Sequence, residues 1–313
     1  MNILVTAIGS FSADYVISSL KKHQHFVVGC DIYPSIWHAV SKDCDAVYQV
    51  PLSSAQDKYI HALMEICVKH HVDYIFPLTD VEVDVLNIHR KTFDHAGIKL
   101  CIQDTEMLRI ARDKYETCRL FASDDKVNVP QFALSSELST LFPLPGIAKP
   151  VNGRSSEGLL VIDCVEELMQ LKSKPGYIVQ EKLSGPVFTV DYVRNAACDK
   201  DVAIPREELL RTKNGAGTTV KISDDPRLQE VVSYIGNKLN VNGCINMEFI
   251  LHEDKYYLID INPRFSAGVA FSGVMGYDMV QAHLSCFKGE EILPAPSLSP
   301  VIITKRYKEE III

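Results

Sequence analysis

Residues 245–264 hold two alternating arms, Ile245 to Leu251 and Tyr256 to Arg264, around the link His252-Glu253-Asp254-Lys255. Strand side chains point to opposite faces with period two, so the pattern specifies an antiparallel hairpin. Ile245, Met247, Phe249 and Leu251 then share an apolar face with Tyr257, Ile259 and Ile261, while Glu248, Asp260, Asn262 and Arg264 occupy the other. Closing symmetrically about Asp254 sets Glu248 opposite Asp260, with Cβ atoms roughly 4.5–5.5 Å apart. Facing carboxylates repel, and a hard divalent cation removes the repulsion. Mg2+ takes one or two protein carboxylates plus phosphate oxygens, so Glu248, Asp260 and Asn262 are the expected metal ligands. Arg264 adds a cationic fork for a phosphate or carboxylate, and Pro263 ends the strand beside the cluster. The plainer alternative is a solvated polar face on a one-sided sheet.

The rest of the chain supplies lobes to flank that hairpin. With 313 residues it exceeds what one hydrophobic core organises, and two or three lobes of roughly 100 residues are expected. Residues 1–105 alternate β-type runs (NILVTAI, FVVGCDI, AVYQV, DYIFPL) with helical stretches at 13–22 and 58–70, which predicts a parallel α/β lobe. Its first loop has one glycine, Gly9, where a dinucleotide fingerprint has three, so Asp31 reads as a strand-end residue before a ribose ligand. A helix is expected over 105–122, then a Pro-bounded junction, a small antiparallel lobe with a helix at 165–172, and a larger sheet with helices near 225–239 and 278–287.

Composition narrows the function classes. A net charge of -8, with no long Lys/Arg run, argues against nucleic acid as partner. The first twenty residues lack a basic segment before an apolar core, and no membrane span is visible, so a cytoplasmic protein is expected. Nine cysteines without a Cys-x-x-Cys pair suit reduced thiols, and adjacent His70 and His71 lack metal-ligand spacing.

Two further motifs bear on phosphate chemistry. In Ala148-Lys149-Pro150 followed by Val151 to Gly158, a strand-end lysine precedes a Gly/Ser loop that can fold over a triphosphate. It is not a Walker loop, because the lysine comes before the glycines; an ordinary hairpin loop is the alternative. Tyr177 to Leu183 runs apolar and then polar between lobes, as a hinge presenting backbone groups to an adenine edge would.

In this order the features resemble the ATP-grasp superfamily, specifically the stand-alone relatives of carbamoyl-phosphate synthetase and biotin carboxylase. The resemblance covers nearly the whole chain. It implies a Rossmann-like α/β pre-ATP-grasp lobe at 1–105, an α+β small lobe at 106–183, and a large antiparallel lobe with the metal site at 184–313. It implies that Lys114 (after Asp113) and Lys149 reach nucleotide phosphates, that Gly153, Arg154, Ser155, Ser156 and Gly158 form a flexible lid, and that Gln180, Glu181, Lys182 and Leu183 form the adenine hinge. Glu248, Asp260 and Asn262 match the family's Mg2+ ligands, and Arg264, with Lys149 and Asn262, its catalytic set. Where the family often carries a ribose-binding Glu, this chain has Val187. The resemblance also draws in Arg206, Arg211 and Lys213 as contacts to an anionic substrate, and Asp80 and Glu82 as receivers of a substrate amine; surface charge and helix capping are their alternatives.

The function so implied is a carboxylate–amine (or ammonia or bicarbonate) ligase using ATP and Mg2+ or Mn2+ through an acyl phosphate. Small-molecule carboxylates and amines are its partners, nucleic acid and membrane are not, and a homodimer is left open. The rival readings are a non-catalytic nucleotide-binding regulator on the same scaffold and an NAD(P)-dependent oxidoreductase.

Overall fold

The computed structural model describes residues 1–154 and 157–312. Its first lobe is a parallel sheet of β1 (Asn2–Thr6), β2 (Phe26–Asp31), β3 (Ala46–Gln49), β4 (Tyr74–Phe76) and β5 (Lys99–Leu100) in the order β3-β2-β1-β4-β5. Crossover helices α1 (Ala13–Lys22), α2 (Gln56–His70), α3 (Asp80–Ile88) and α4 (Arg90–His95) connect the strands. The expected α/β lobe is therefore present. Its strand order reverses beside β1, which opens a crevice at the carboxyl ends of the strands.

The helix expected over 105–122 is instead two helices, α5 (Thr105–Arg112) and α6 (Lys114–Phe121). Asp113 breaks it: its backbone is extended, and its carboxylate accepts from Glu116 N at 2.9 Å, capping α6. Periodicity across 105–122 could not show this, because an N-cap competes with helix continuation through its own side chain. Both helices pack through Met107, Ala111 and Phe121 on the core of the large sheet.

Next come β6 (Phe132–Leu134), β7 (Gly146–Pro150), β8 (Leu160–Ile162), α7 (Val165–Leu171) and β9 (Tyr177–Glu181), forming an antiparallel sheet ordered β6-β9-β7-β8 around Ala148, Leu168 and Val179. The large sheet comprises β10 (Val187–Asn195), β11 (Lys200–Arg211), β12 (Gly217–Ile222), β13 (Gly243–His252), β14 (Lys255–Asn262) and β15 (Ile302–Thr304), ordered β14-β13-β10-β11-β12-β15. Helix α8 (Pro226–Lys238) covers one face; α9 (Val269–Val274) and α10 (Met279–Lys288) follow β14. The architecture is thus the expected parallel α/β lobe followed by two antiparallel sheets. Among the described residues no helix is long and apolar enough to cross a membrane.

The hairpin closes differently from the symmetric turn about Asp254. His252 pairs with Lys255 across a two-residue turn, Glu253 and Asp254, both at positive φ. The register then shifts by one residue between Glu248 and Phe249, a β-bulge that leaves Ile259 without an opposite partner. Beyond it Glu248 faces Asp260 and Asn246 faces Asn262. The bulge also corrects the assigned apolar face: Tyr256 and Leu258 enter the core with Ile261, while Tyr257 and Ile259 do not.

The first lobe and the large sheet share one core. Ile3, Val5, Val16 and Ile17 cluster with Val193, Ile204, Cys244, Met279 and Val280. His283 on α10 fastens it: Nδ1 accepts from Cys244 N at 2.7 Å, which leaves Nε2 to donate to Cys101 O at 3.2 Å. Gly243, at φ +98, makes room, since a Cβ there would lie 2.7 Å from His283 Nδ1. Burial lowers the His283 pKa to about 3, against an ordinary 6.5. The unfolded chain takes up a proton below 6.5 that the folded protein refuses until about 3, so His283 costs stability as the pH falls through that window. Urea midpoints at about pH 7 and about pH 5.5 test this: His283→Asn, though less stable at neutral pH, loses less between the two than the wild type.

Candidate functional site

Three parts of the chain meet around a cleft of about 630 Å3 lined by the α3 N-terminus, the β7 end, the loop after β11 and the polar stretch of the large sheet. One face of that sheet is graded along its strands. Cys244, Val193 and Val202 form an apolar rung beneath α10; Asn262, Asn246 and Asp191 form the next, and Asp260, Glu248, Thr189 and Arg206 the one after. Period two keeps these side chains on one face, and the grading turns an apolar contact into a polar floor.

Each acid on the floor has a cationic neighbour. Lys114 Nζ lies 3.1 Å from Asp260 Oδ1 and donates to Gly153 O at 2.9 Å. Arg211 pairs with Glu248 at 2.8 Å. Arg264 Nη2 donates to Asp80 Oδ2 at 2.9 Å, and Arg112 sits 3.5 Å from Asp80 Oδ1 while gripping Asp84. Burial alone would raise the Asp80 carboxyl, but Arg264 and Arg112 outweigh it and hold it below the usual carboxylate range. The buried Arg264 Nε makes no hydrogen bond among the described residues, a donor left over beside the cleft.

Lys149 stands at the end of β7, its Nζ donating to Ile259 O at 2.9 Å. Burial lowers its pKa, and Asp260 offsets part of that. The bulge turns Ile259 toward the cleft, where it forms an apolar patch on the floor.

The other candidates are less uniformly placed. Gly153 and Arg154 line the cleft, Gly158 packs against Pro150, and Ser155 and Ser156 fall outside the described residues. The Gln180 side chain turns inward to Cys118 Sγ at 3.1 Å, and the Glu181 carboxylate accepts from Gln131 N at 2.9 Å. Lys182 is exposed and Leu183 half-buried, and none of residues 180–183 lines the cleft. Arg206 is fully buried, bound to Asp191 at 2.8 Å and beside Glu208 at 3.4 Å. Lys213 is exposed on the turn closed by Thr212 N and Ala216 O, away from the cleft. Asp80 faces the cleft, whereas Glu82 points into the first lobe. Asp31 spends its oxygens on Gly9 N and Tyr33 N at 2.9 and 3.0 Å, the strand-end role its sequence context suggested.

Sequence reasoning missed Arg112, Asn246, Thr189, Glu208 and Ile259. Asn246 was recoverable, being two residues before Glu248 and hence on the same face. Nothing local marks Arg112.

Among the described residues no group of three or more His, Cys, Asp and Glu side chains is disposed to hold a metal ion. The floor instead offers two opposed carboxylates and the Asn262 amide, hard oxygen donors that fit Mg2+.

A family model described as ATP-grasp domain matches residues 111–268, and one described as PylC-like, N-terminal domain, matches residues 3–101. Among solved structures, the biotin carboxylase domain of Hydrogenobacter thermophilus 2-oxoglutarate carboxylase, in complex with MgADP and bicarbonate, is similar with a TM-score of 0.77 at 15% identity, covering 94% of this chain and 71% of that one. N5-carboxyaminoimidazole synthetase from Staphylococcus aureus, complexed with ADP, gives a TM-score of 0.75 at 15% identity over 97% and 81% of the two chains. An L-amino acid ligase from Bacillus licheniformis gives 0.71 at 15% identity over 92% and 74%. The ATP-grasp match takes in more than half of the chain, and the protein belongs to that family. By class it is an ADP-forming ligase that works with Mg-ATP.

Lys149 makes the electrostatics testable. If Lys149 meets the triphosphate of bound ATP, its charge attracts it only while protonated, and ATP affinity falls as pH rises through a pKa held below the usual lysine range. Calorimetric titrations across pH read the effect: Lys149→Arg moves the alkaline loss to higher pH, and Lys149→Met weakens binding by about tenfold or more.

Proposed function

We propose that this protein joins a small carboxylic acid to an amine through an acyl phosphate made with ATP. Glu248 opposite Asp260 on the cleft face, with Asn262 and Arg264 following on the same strand end, carries the reading.

In this reading the triphosphate lies along the cleft between the small sheet and the large one, its charge met by Lys149, Lys114 and Arg154. Glu248, Asp260 and Asn262 would hold Mg2+, which would supply charge neutralisation at the phosphate oxygens. A substrate carboxylate beside Arg264 attacks the γ-phosphorus in line; a P–O bond forms, the bond to the β-phosphate oxygen breaks, and ADP leaves. In this reading the Arg264 Nε–H, without a hydrogen-bond partner among the described residues, steadies the transferred group. A neutral amine then gives its lone pair to the acyl carbon, the C–O bond breaks, and phosphate departs with that electron pair and with the proton shed by nitrogen. The Gly153 to Gly158 segment, 1–105 as the acceptor-facing lobe, 106–183 and 184–313 as the nucleotide-binding pair, and Gln180 to Leu183 as the adenine edge complete the assignment. Asp80 orients Arg264, Glu82 receives the acceptor, and Arg206 and Arg211 shape the wall of the cleft.

A phosphate-release screen of carboxylic acids crossed with amines, ammonia and bicarbonate, with product masses recorded, tests this. Turnover requires both partners and a divalent cation. Asp260→Asn keeps a native circular dichroism spectrum and loses metal-dependent ADP formation by about a hundredfold or more; undiminished turnover removes Asp260 from the metal set.

A further inference from the structure

Beside the cleft, at the carboxyl ends of the first-lobe strands, lies a second cavity of about 320 Å3. Gly9, Ser10, Thr79 and Val81 line both spaces, so the two adjoin. The cavity sits where strand order reverses around β1, the place where open α/β sheets receive ligands.

Its chemistry is lopsided. Glu82 is 6% exposed, with Oε1 accepting from Tyr59 OH at 3.0 Å and Oε2 from Thr79 Oγ1 at 2.6 Å. Both partners are neutral hydroxyls. Asp31, equally buried, accepts from two backbone N–H groups, and among the described residues its only ionisable neighbour of opposite kind is His38, 3.3 Å away. Among the described residues no lysine or arginine pairs with either acid, whereas in the adjoining cleft Glu248 and Asp260 each have one and Asp80 has two. A buried acid without a counter-ion is costly unless a cation arrives. Burial, reinforced by the nearby Asp31, pushes Glu82 up despite its hydroxyl partners. The buried His38 Nε2 also makes no hydrogen bond among the described residues. Above these polar groups the walls are apolar: Ile32, Leu52 and Tyr33 line the cavity, the latter two 58% and 51% exposed, and Tyr33 stacks on Trp37.

We infer that this cavity receives the far end of the acceptor: an ammonium group settles against Glu82, its alkyl stem lies along Leu52 and Tyr33, and a second, neutral amino group reaches past Thr79 into the cleft. The acceptor class is therefore a diamine, not a monoamine or bicarbonate. This rests on the ligase reading, which left the acceptor open.

Cadaverine and pentylamine have the same chain length and differ by one amino group. Calorimetric titration of each into the wild-type protein, Glu82→Gln and Leu52→Trp, together with product formation in the presence of ATP, tests the assignment. Glutamine keeps an acceptor for Tyr59 and removes the charge; Leu52→Trp fills the mouth from an exposed position, and circular dichroism checks both folds. Wild type binds both amines through Glu82, so Glu82→Gln and Leu52→Trp weaken both by about tenfold, while wild type forms product about tenfold or more faster from cadaverine, the one with a second amino group to reach the cleft, and Glu82→Gln brings the two rates within about twofold. Equal product formation from the two amines by wild type, or a preference that survives Glu82→Gln, overturns the assignment. Glu82-dependent cadaverine binding without ADP formation from any amine leaves the cavity standing and removes the ligase reading; turnover of amines without that preference does the reverse.

Discussion

One additional residue in β14 decides which chemistry faces the cleft. From the two-residue turn at Glu253 and Asp254, an unbroken ladder would set Glu248 opposite Ile259 and send Asp260 to the other face, into the hydrophobic core. The bulge at Ile259 reverses the parity, so that Asp260, Asn262 and Arg264 emerge on the side of Glu248 while Tyr256, Leu258 and Ile261 remain inside. It also frees the Ile259 carbonyl to hold the Lys149 ammonium. The pair of acids, the apolar patch and the anchored lysine thus share one backbone irregularity.

Charge balance in the cleft follows from that parity. Asp260 and Glu248 are too close to stand alone, and Lys114 and Arg211 compensate them at 3.1 and 2.8 Å. Both cations are on side chains long enough to reach phosphate oxygens, so in the proposed reading, where a divalent ion takes over the acids, the site exchanges partners on binding. Asp80 works differently: Arg264 and Arg112 grip it from two elements, fixing the first lobe against the end of β14.

Much of this was legible in the sequence, and the gaps have physical causes. The alternating runs of the first lobe and the helix at 13–22 follow directly from periodicity. The Glu248 and Asp260 opposition was expected from a wrong turn and a missing bulge whose errors cancel, because Tyr256-Tyr257-Leu258-Ile259 is apolar throughout and carries no phase. Asp113 looked like a polar residue within one helix, since capping depends on where the backbone stops. Arg112 owes its position to the first lobe docking on the sheet, a long-range fact that no window of sequence contains.

The core shared by the first lobe and the large sheet has a mechanical consequence. Ile3, Val16, Val193, Cys244 and Met279 pack as one body, whereas Ala148, Leu168 and Val179 keep a small core of their own, joined to the rest by only two crossings of the chain, between 121 and 132 and between 181 and 187. A change in cleft width would fall to the small sheet, a jaw on two pivots against an anvil. Lys149 and Gly153 belong to the jaw, and the acids, Arg264 and the second cavity to the anvil, so in the proposed reading the phosphate tail is what gets clasped while the acceptor's berth stays in place.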